Sequence, residues 1–183
     1  MTSTQPPEQT TSGLIDAEFV RRFAPLYSVT ELEAELFDSI GPKTARREYY
    51  KRKGFLRVAE WKAVAVLPTL ESLDPDDIEY VTAVALDEDT PNRLRVPFLQ
   101  VLPGVGVPLA STLLAVVDPK RFAIMDARAV GVLNEFALID TSNPARLDYS
   151  TYRRLVRSLA KGAGCGALDL YRALIACSRQ PRG

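Results

Sequence analysis

The 183-residue chain sets 23 basic against 23 acidic side chains and has no histidine, which excludes Ser-His-Asp and Cys-His catalysis and histidine-ligated metals. Two cysteines, Cys165 and Cys177, are too few for an iron–sulfur cluster or a zinc ribbon and make no disulfide framework. A formal charge of zero argues against coating nucleic acid by bulk charge, and no run reaches the roughly 18 to 20 apolar residues of a membrane span.

Residues 1–13 are polar and lack a basic start followed by an apolar run, so they read as a disordered tail and not as a signal peptide. One helical domain is expected over 14–178 and a short tail over 179–183, in a cytoplasmic, monomeric protein without membrane contact. Asp16 caps a first helix whose Phe19, Phe23 and Leu26 form one stripe. Thr30 and Glu33 have the spacing of a capping box. Leu32, Leu36 and Ile40 continue a helix that Gly41-Pro42 stops. Lys43 to Lys62 is a basic helical stretch interleaved with Tyr49, Tyr50, Phe55 and Trp61, in which Gly54 either ends or bends a helix.

Asp74-Pro75-Asp76-Asp77 starts the next helix, with a cap, a proline in the first turn and acids at the positive end of the dipole. Thr90-Pro91 opens another, bearing Leu94, Phe98 and Val101, with a kink or restart at Pro97. Tyr152, Leu155, Val156 and Leu159 mark a further helix, and Leu168, Tyr171 and Ile175 the last. No repeat and no alternating strand is found; the fold class is all-α. Basic residues concentrate in two blocks: residues 41–65 hold eight basic against two acidic, as do residues 141–183. If the blocks converge they make a nucleic-acid face, and if not they are solvated helix faces.

The most informative run is Leu102-Pro103-Gly104-Val105-Gly106, followed by Val107–Val117, a helix apolar on almost every side that belongs at the centre of a domain. Glycines two apart permit positive φ and close approach of another backbone. Unpaired amides at the helix start can then meet a phosphate oxygen. A plain tight turn between helices is the alternative. Asp126 begins the next helical run and suits an N-cap.

These residues resemble the helix-hairpin-helix DNA glycosylases of the endonuclease III superfamily, whose hairpin reads Leu-Pro-Gly-Val-Gly. In that family an essential aspartate follows the second glycine by twenty residues, and here that position is Asp126. The likeness is best from about Asn92 to Phe136, roughly a quarter of the chain, with the hairpin at about 92–117. The Phe55–Lys62 stretch with Trp61-Lys62 is similar to an uncharacterised bacterial branch of the group, one without the iron–sulfur cluster. The resemblance implies a helical glycosylase-like domain that binds double-stranded DNA in base-excision repair. It implies Asp126 as catalytic carboxylate and a phosphate grip from the hairpin, Gly104, Val105, Gly106 and Val107. The resemblance further implies a monovalent cation at the hairpin backbone, and no side-chain metal site or other cofactor. Lys120 and Arg121, on the loop leading to Asp126, are candidate phosphate contacts or solvated surface cations. Arg128 and Lys62 are further DNA-binding candidates, Lys62 with the alternative of a solvated neighbour to a core Trp61.

The chain also departs from the family. Bifunctional members carry a lysine two residues after the second glycine, where this chain has Pro108, so a monofunctional glycosylase is expected. Some members have histidine two residues beyond the aspartate, where this chain has Arg128, suited equally to a phosphate or to a carboxylate partner. A non-catalytic helix-hairpin-helix DNA-binding module and a helical protein-interaction domain stand as alternatives.

Overall fold

A computed structural model describes residues 15–181, and every regular element in that range is helical. In chain order these are α1 (Ala17–Phe23), α2 (Glu31–Glu35), α3 (Gly41–Arg47), α4 (Arg52–Lys62), α5 (Leu67–Glu71), α6 (Pro75–Leu86), α7 (Asn92–Leu99), α8 (Val107–Val117), α9 (Ala127–Glu135), α10 (Tyr149–Gly162) and α11 (Ala167–Ser178). No helix among the described residues is long and apolar enough to cross a membrane. The expected tail over residues 1–13 lies outside them.

Side chains that cap helices sit where local chemistry puts them. Asp16 accepts the amides of Glu18 and Phe19 at 2.9 and 3.0 Å, Asp74 that of Asp76 at 2.8 Å, and Asp148 that of Thr151 at 2.7 Å. The Thr30–Glu33 box is only half made. Thr30 Oγ1 accepts the Glu33 amide at 3.1 Å, but the Glu33 carboxylate turns inward to Tyr27 and Arg172 at 2.7 and 2.9 Å and is fully buried. In the first helix Phe19 is buried whereas Leu26 ends up more than half exposed.

α8 is the centre of the core: Leu109 through Val116 are all buried, and α3, α4 and α7 pack around it. Its all-round apolar surface leaves no solvent face, as a central helix requires. Gly41-Pro42 does not stop the chain there. A π turn over Leu36–Ile40 runs directly into α3, whose first two residues are Gly41 and Pro42. Pro42 lacks the N–H that would continue the ladder, and the wider π turn falls directly before it. Gly41 lies where a Cβ would stand 2.0 Å from the carbonyl oxygen of Val116. The glycine therefore serves the crossing of α3 on α8, not a chain break.

The basic stretch Lys43 to Lys62 is two helices. Glu48, at φ +65, ends α3. Tyr50 then dives into the core, its hydroxyl donating to Leu113 O at 2.7 Å, and α4 starts before Gly54. α7 runs on through Pro97 without restarting. After α8 the chain turns at residues 118–121 and returns as a buried extended segment, Phe122 to Met125. Ser111 Oγ accepts the Met125 amide at 3.0 Å, and the hydroxyls of Tyr149 and Tyr152 donate to Ala123 O and Ile124 O at 3.1 and 2.8 Å. This segment runs back along α8 and delivers Asp126 to the end of α8 where that helix begins.

Candidate active site

Asp126 is the N-cap of α9, and its Oδ1 accepts the Ala129 amide at 2.9 Å. Its Oδ2 has two further donors. Lys62 Nζ, at the last residue of α4, forms an ion pair with it, and the Tyr171 hydroxyl of α11 donates to it at 2.8 Å. Lys62 Nζ also donates to the Tyr171 oxygen at 2.8 Å. Carboxylate, ammonium and phenol thus close a three-membered ring of hydrogen bonds. They come from three helices joined by the core.

Burial and charge compete at this cluster. The Lys62 and Asp126 side chains are 9 % and 14 % exposed. For Asp126, burial by itself would raise the carboxyl pKa. The Lys62 charge, the Ala129 amide and the hydrogen bonds from Lys62 and Tyr171 together outweigh it, and the pKa falls below the ordinary carboxylate value. Burial is the largest influence on Lys62 and pushes its ammonium pKa down, with the Asp126 charge acting against it. Burial and the adjacent carboxylate push the Tyr171 hydroxyl well up, so it stays a donor.

The cluster faces a cavity of about 470 Å³ whose walls include Trp61, Tyr27, Pro108, Ile175, Arg128 and Arg179. Trp61 is held edge-on by Phe37 at 6.2 Å, and Tyr27 is anchored to buried Glu33. The exposed cations Arg128 and Arg179 stand in the wall, and the Arg179 guanidinium lies 5.6 Å over the Tyr27 ring. The pocket therefore offers aromatic faces, one fixed carboxylate and three cationic groups.

The turn before α8 lies beside it, since Pro108 in the first turn of α8 lines the same cavity. Gly104 has φ +85, the region that favours glycine, and a Cβ there would press on Leu70 at 3.2 Å. Gly106 is different: at φ −87 and ψ 174 any residue fits, and a Cβ would meet only Pro108 at an ordinary 3.6 Å. The amides of Gly104, Gly106 and Val107 find no acceptor among the described residues, and no side chain caps α8. Val105 contributes neither group: its amide donates to Leu102 O at 3.1 Å and its side chain is buried.

Of the residues singled out by sequence, Asp126, Lys62, Arg128 and the turn are brought together. Lys62 points into the pocket and is engaged with Asp126, so a phosphate outside would not meet an open lysine. Lys120 and Arg121 follow the far end of α8, a helix length from the turn, roughly 16 Å at 1.5 Å per residue. In the first basic block three of the eight cations, Lys51, Arg57 and Lys62, pair with carboxylates, and Arg52 donates to a carbonyl. Tyr171, Tyr27 and Arg179 were not marked by sequence as site residues. Tyr171 showed only as part of an apolar stripe, and Arg179 fell in the expected tail. Comparison of the chain with family models, with curated proteins and with solved structures finds no match.

Proposed function

We propose that the protein binds duplex DNA and acts as a DNA N-glycosylase, hydrolysing the bond between the sugar and a damaged or mispaired base, with Asp126 as the catalytic carboxylate. The supporting observation is a rigid, ionised carboxylate that opens into an aromatic pocket beside a helix start with unsatisfied amides. A base extruded from the stack would lie against Trp61 and Tyr27. As the C1′–N bond lengthens, positive charge builds on the sugar, and the Asp126 carboxylate stabilises it or activates the attacking water. Lys62 and Tyr171 keep that carboxylate ionised and fixed. The amides of Gly104, Gly106 and Val107 would hold a phosphate, with Arg128 at the pocket. For the monovalent cation that the family resemblance implies, the turn offers backbone carbonyls. Those of Leu99 and Leu102 each accept one amide and keep a second lone pair free.

The role of the turn has a direct check. Gly106→Val adds a side chain that the fold accommodates but that blocks approach to the amides. Thermal stability should stay near wild type, while duplex affinity in a salt-controlled titration falls about tenfold or more, the cost of losing one or two charged hydrogen bonds. Unchanged affinity would remove the turn from the DNA contact.

The position of Lys62 favours a second reading, in which an amine at the pocket supplies what Pro108 lacks. The free amine attacks C1′ and the base leaves. One amine proton goes to the base and the other to the ring oxygen as the ring opens, leaving an imine between Lys62 and C1′. One experiment tests both readings. Duplexes carrying single damaged or mispaired bases are incubated with the protein, then split between hot alkali and borohydride. The hydrolytic reading predicts strand cleavage only after alkali and no trapped complex. The imine reading predicts a covalent protein–DNA complex that Lys62→Arg abolishes. The pH profiles differ in sign. Asp126 ionises below the ordinary carboxylate range, so the hydrolytic rate does not fall until the medium is more acidic than that. As pH rises through the lowered pKa of Lys62, hydrolysis should slow because the carboxylate loses its ammonium, whereas imine formation should quicken because only the free amine attacks. No base release across the panel, with salt-sensitive duplex binding retained, would point to a non-catalytic DNA-binding module.

A further inference from the structure

A second cationic cluster stands at the opposite end of α8. Arg121 Nη2 donates to Asn92 Oδ1 at 3.0 Å, and Arg153 of α10 donates through Nε to Arg121 O at 2.8 Å. The guanidiniums of Arg95, Arg121 and Arg153 surround the Phe122 ring at 5.7, 5.2 and 5.7 Å from its centre. None of these arginines, nor Arg93 or Arg154, is ion-paired among the described residues. Arg153 is only 8 % exposed and makes no hydrogen bond besides that of its Nε. Burial and the neighbouring Arg157, Arg121 and Arg154 push its pKa down. The two terminal nitrogens of Arg153 have no hydrogen-bond partner among the described residues and are not fully buried, so an anion from outside the chain can reach them.

A cavity of about 490 Å³ opens beside it, between the N-terminal ends of α7 and α10. Arg93, Arg153 and Arg154 line it with Asn92, Ser150 and Asp148. The Ser150 hydroxyl is buried and has no hydrogen-bond partner, and no side chain caps α7. Asp148 is the one carboxylate there, and it is occupied capping α10. Three guanidiniums against one carboxylate leave a surplus of two positive charges.

We propose that this cavity is a phosphate-binding site, separate from the Asp126 pocket, in which Arg93, Arg153 and Arg154 hold a phosphoryl group. The Ser150 hydroxyl and the first amides of α7 complete its hydrogen bonds. The guanidinium fork matches two phosphate oxygens at once, and the start of a helix adds amides and the positive end of its dipole. The same oxygens are presented by a terminal phosphate monoester and by the diester of a nucleic-acid backbone. The inference is independent of any chemistry at Asp126.

The test titrates the full-length, 15N-labelled protein with inorganic phosphate, with ionic strength held constant by sodium chloride. Saturable shifts are expected at the Arg93, Ser150 and Thr151 amides. Arg93→Ala and Arg154→Ala, both at exposed side chains, should each weaken the response about tenfold without changing the melting temperature. Asp126→Asn should leave it unchanged, so failure at either site is read separately. A short duplex with a 5′-phosphate that binds more tightly than its unphosphorylated twin identifies a monoester site. Equal binding of the two, lost in the arginine variants, identifies a diester site. Shifts that fail to saturate, or that persist in the Arg93→Ala/Arg154→Ala double variant, would overturn the proposal.

Discussion

Asp126→Asn should cut base release about 1,000-fold, some 4 kcal/mol in the barrier, while duplex affinity stays within a few-fold of wild type. Asparagine keeps the shape and still caps α9, so the Ala129 contact survives. What disappears is the charge, and its loss has a structural consequence beside the chemical one. Lys62, nine-tenths buried, is left as an uncompensated ammonium, a situation that costs about 3–5 kcal/mol in typical cases. The single variant should therefore also melt earlier. Adding Lys62→Met removes the orphaned charge with a side chain of similar length, and the double variant should regain most of the lost stability but none of the lost activity. Single-turnover base release and denaturant unfolding on all four proteins close a double-mutant cycle. Base release retained in Asp126→Asn would eliminate the carboxylate as catalyst. A double variant no more stable than the single would mean that the buried pair is not what holds α4 to α9.

That cluster also marks the limit of what the sequence reveals. Asp126 is visible because its cue lies along the chain, at a fixed interval from Gly106. Lys62 is 64 residues from Asp126 and 109 from Tyr171, and no spacing rule spans such gaps. Which polar side chains meet depends on how α4, α9 and α11 pack, and that is decided by apolar surface. Glu33 teaches the same lesson. Its distance from Thr30 offers a capping box, yet the carboxylate gains more from Arg172, 139 residues away and inside the fold, than from a nearby amide that water can satisfy. The helical periods themselves were legible because apolar residues repeat locally, and α8 was legible because it is apolar on all faces. The Gly-Pro pair misled because it reads as a stop, whereas the helical run from Glu31 passes through it by way of a π turn. Only the tertiary contact distinguishes the two.

Gly41→Ala puts that contact to the test and should be the most damaging small substitution in the core. The added methyl would lie 2.0 Å from Val116 O, 3.0 Å from Val116 C and 3.2 Å from Leu36 O. These are main-chain atoms on two elements, so no rotamer change relieves the clash and α3 must move off α8. Ordinary overpacking costs about 1–3 kcal/mol; with backbone on both sides the loss should reach at least the top of that range. For a chain of this length that is a fall of about 6–12 °C in melting temperature. Gly131→Ala is the matched control: it lies within α9 with nothing within 4 Å of its would-be Cβ, and it should stabilise by about 0.5–1 kcal/mol through helix propensity. The effect should also reach the site. α8 carries the turn at its start and, through Ser111, the segment that ends at Asp126. A displaced α8 should therefore weaken duplex binding even at temperatures where Gly41→Ala is fully folded. If Gly41→Ala melts with wild type, α3 and α8 do not cross at this distance, and the placement of the turn against the pocket loses its support.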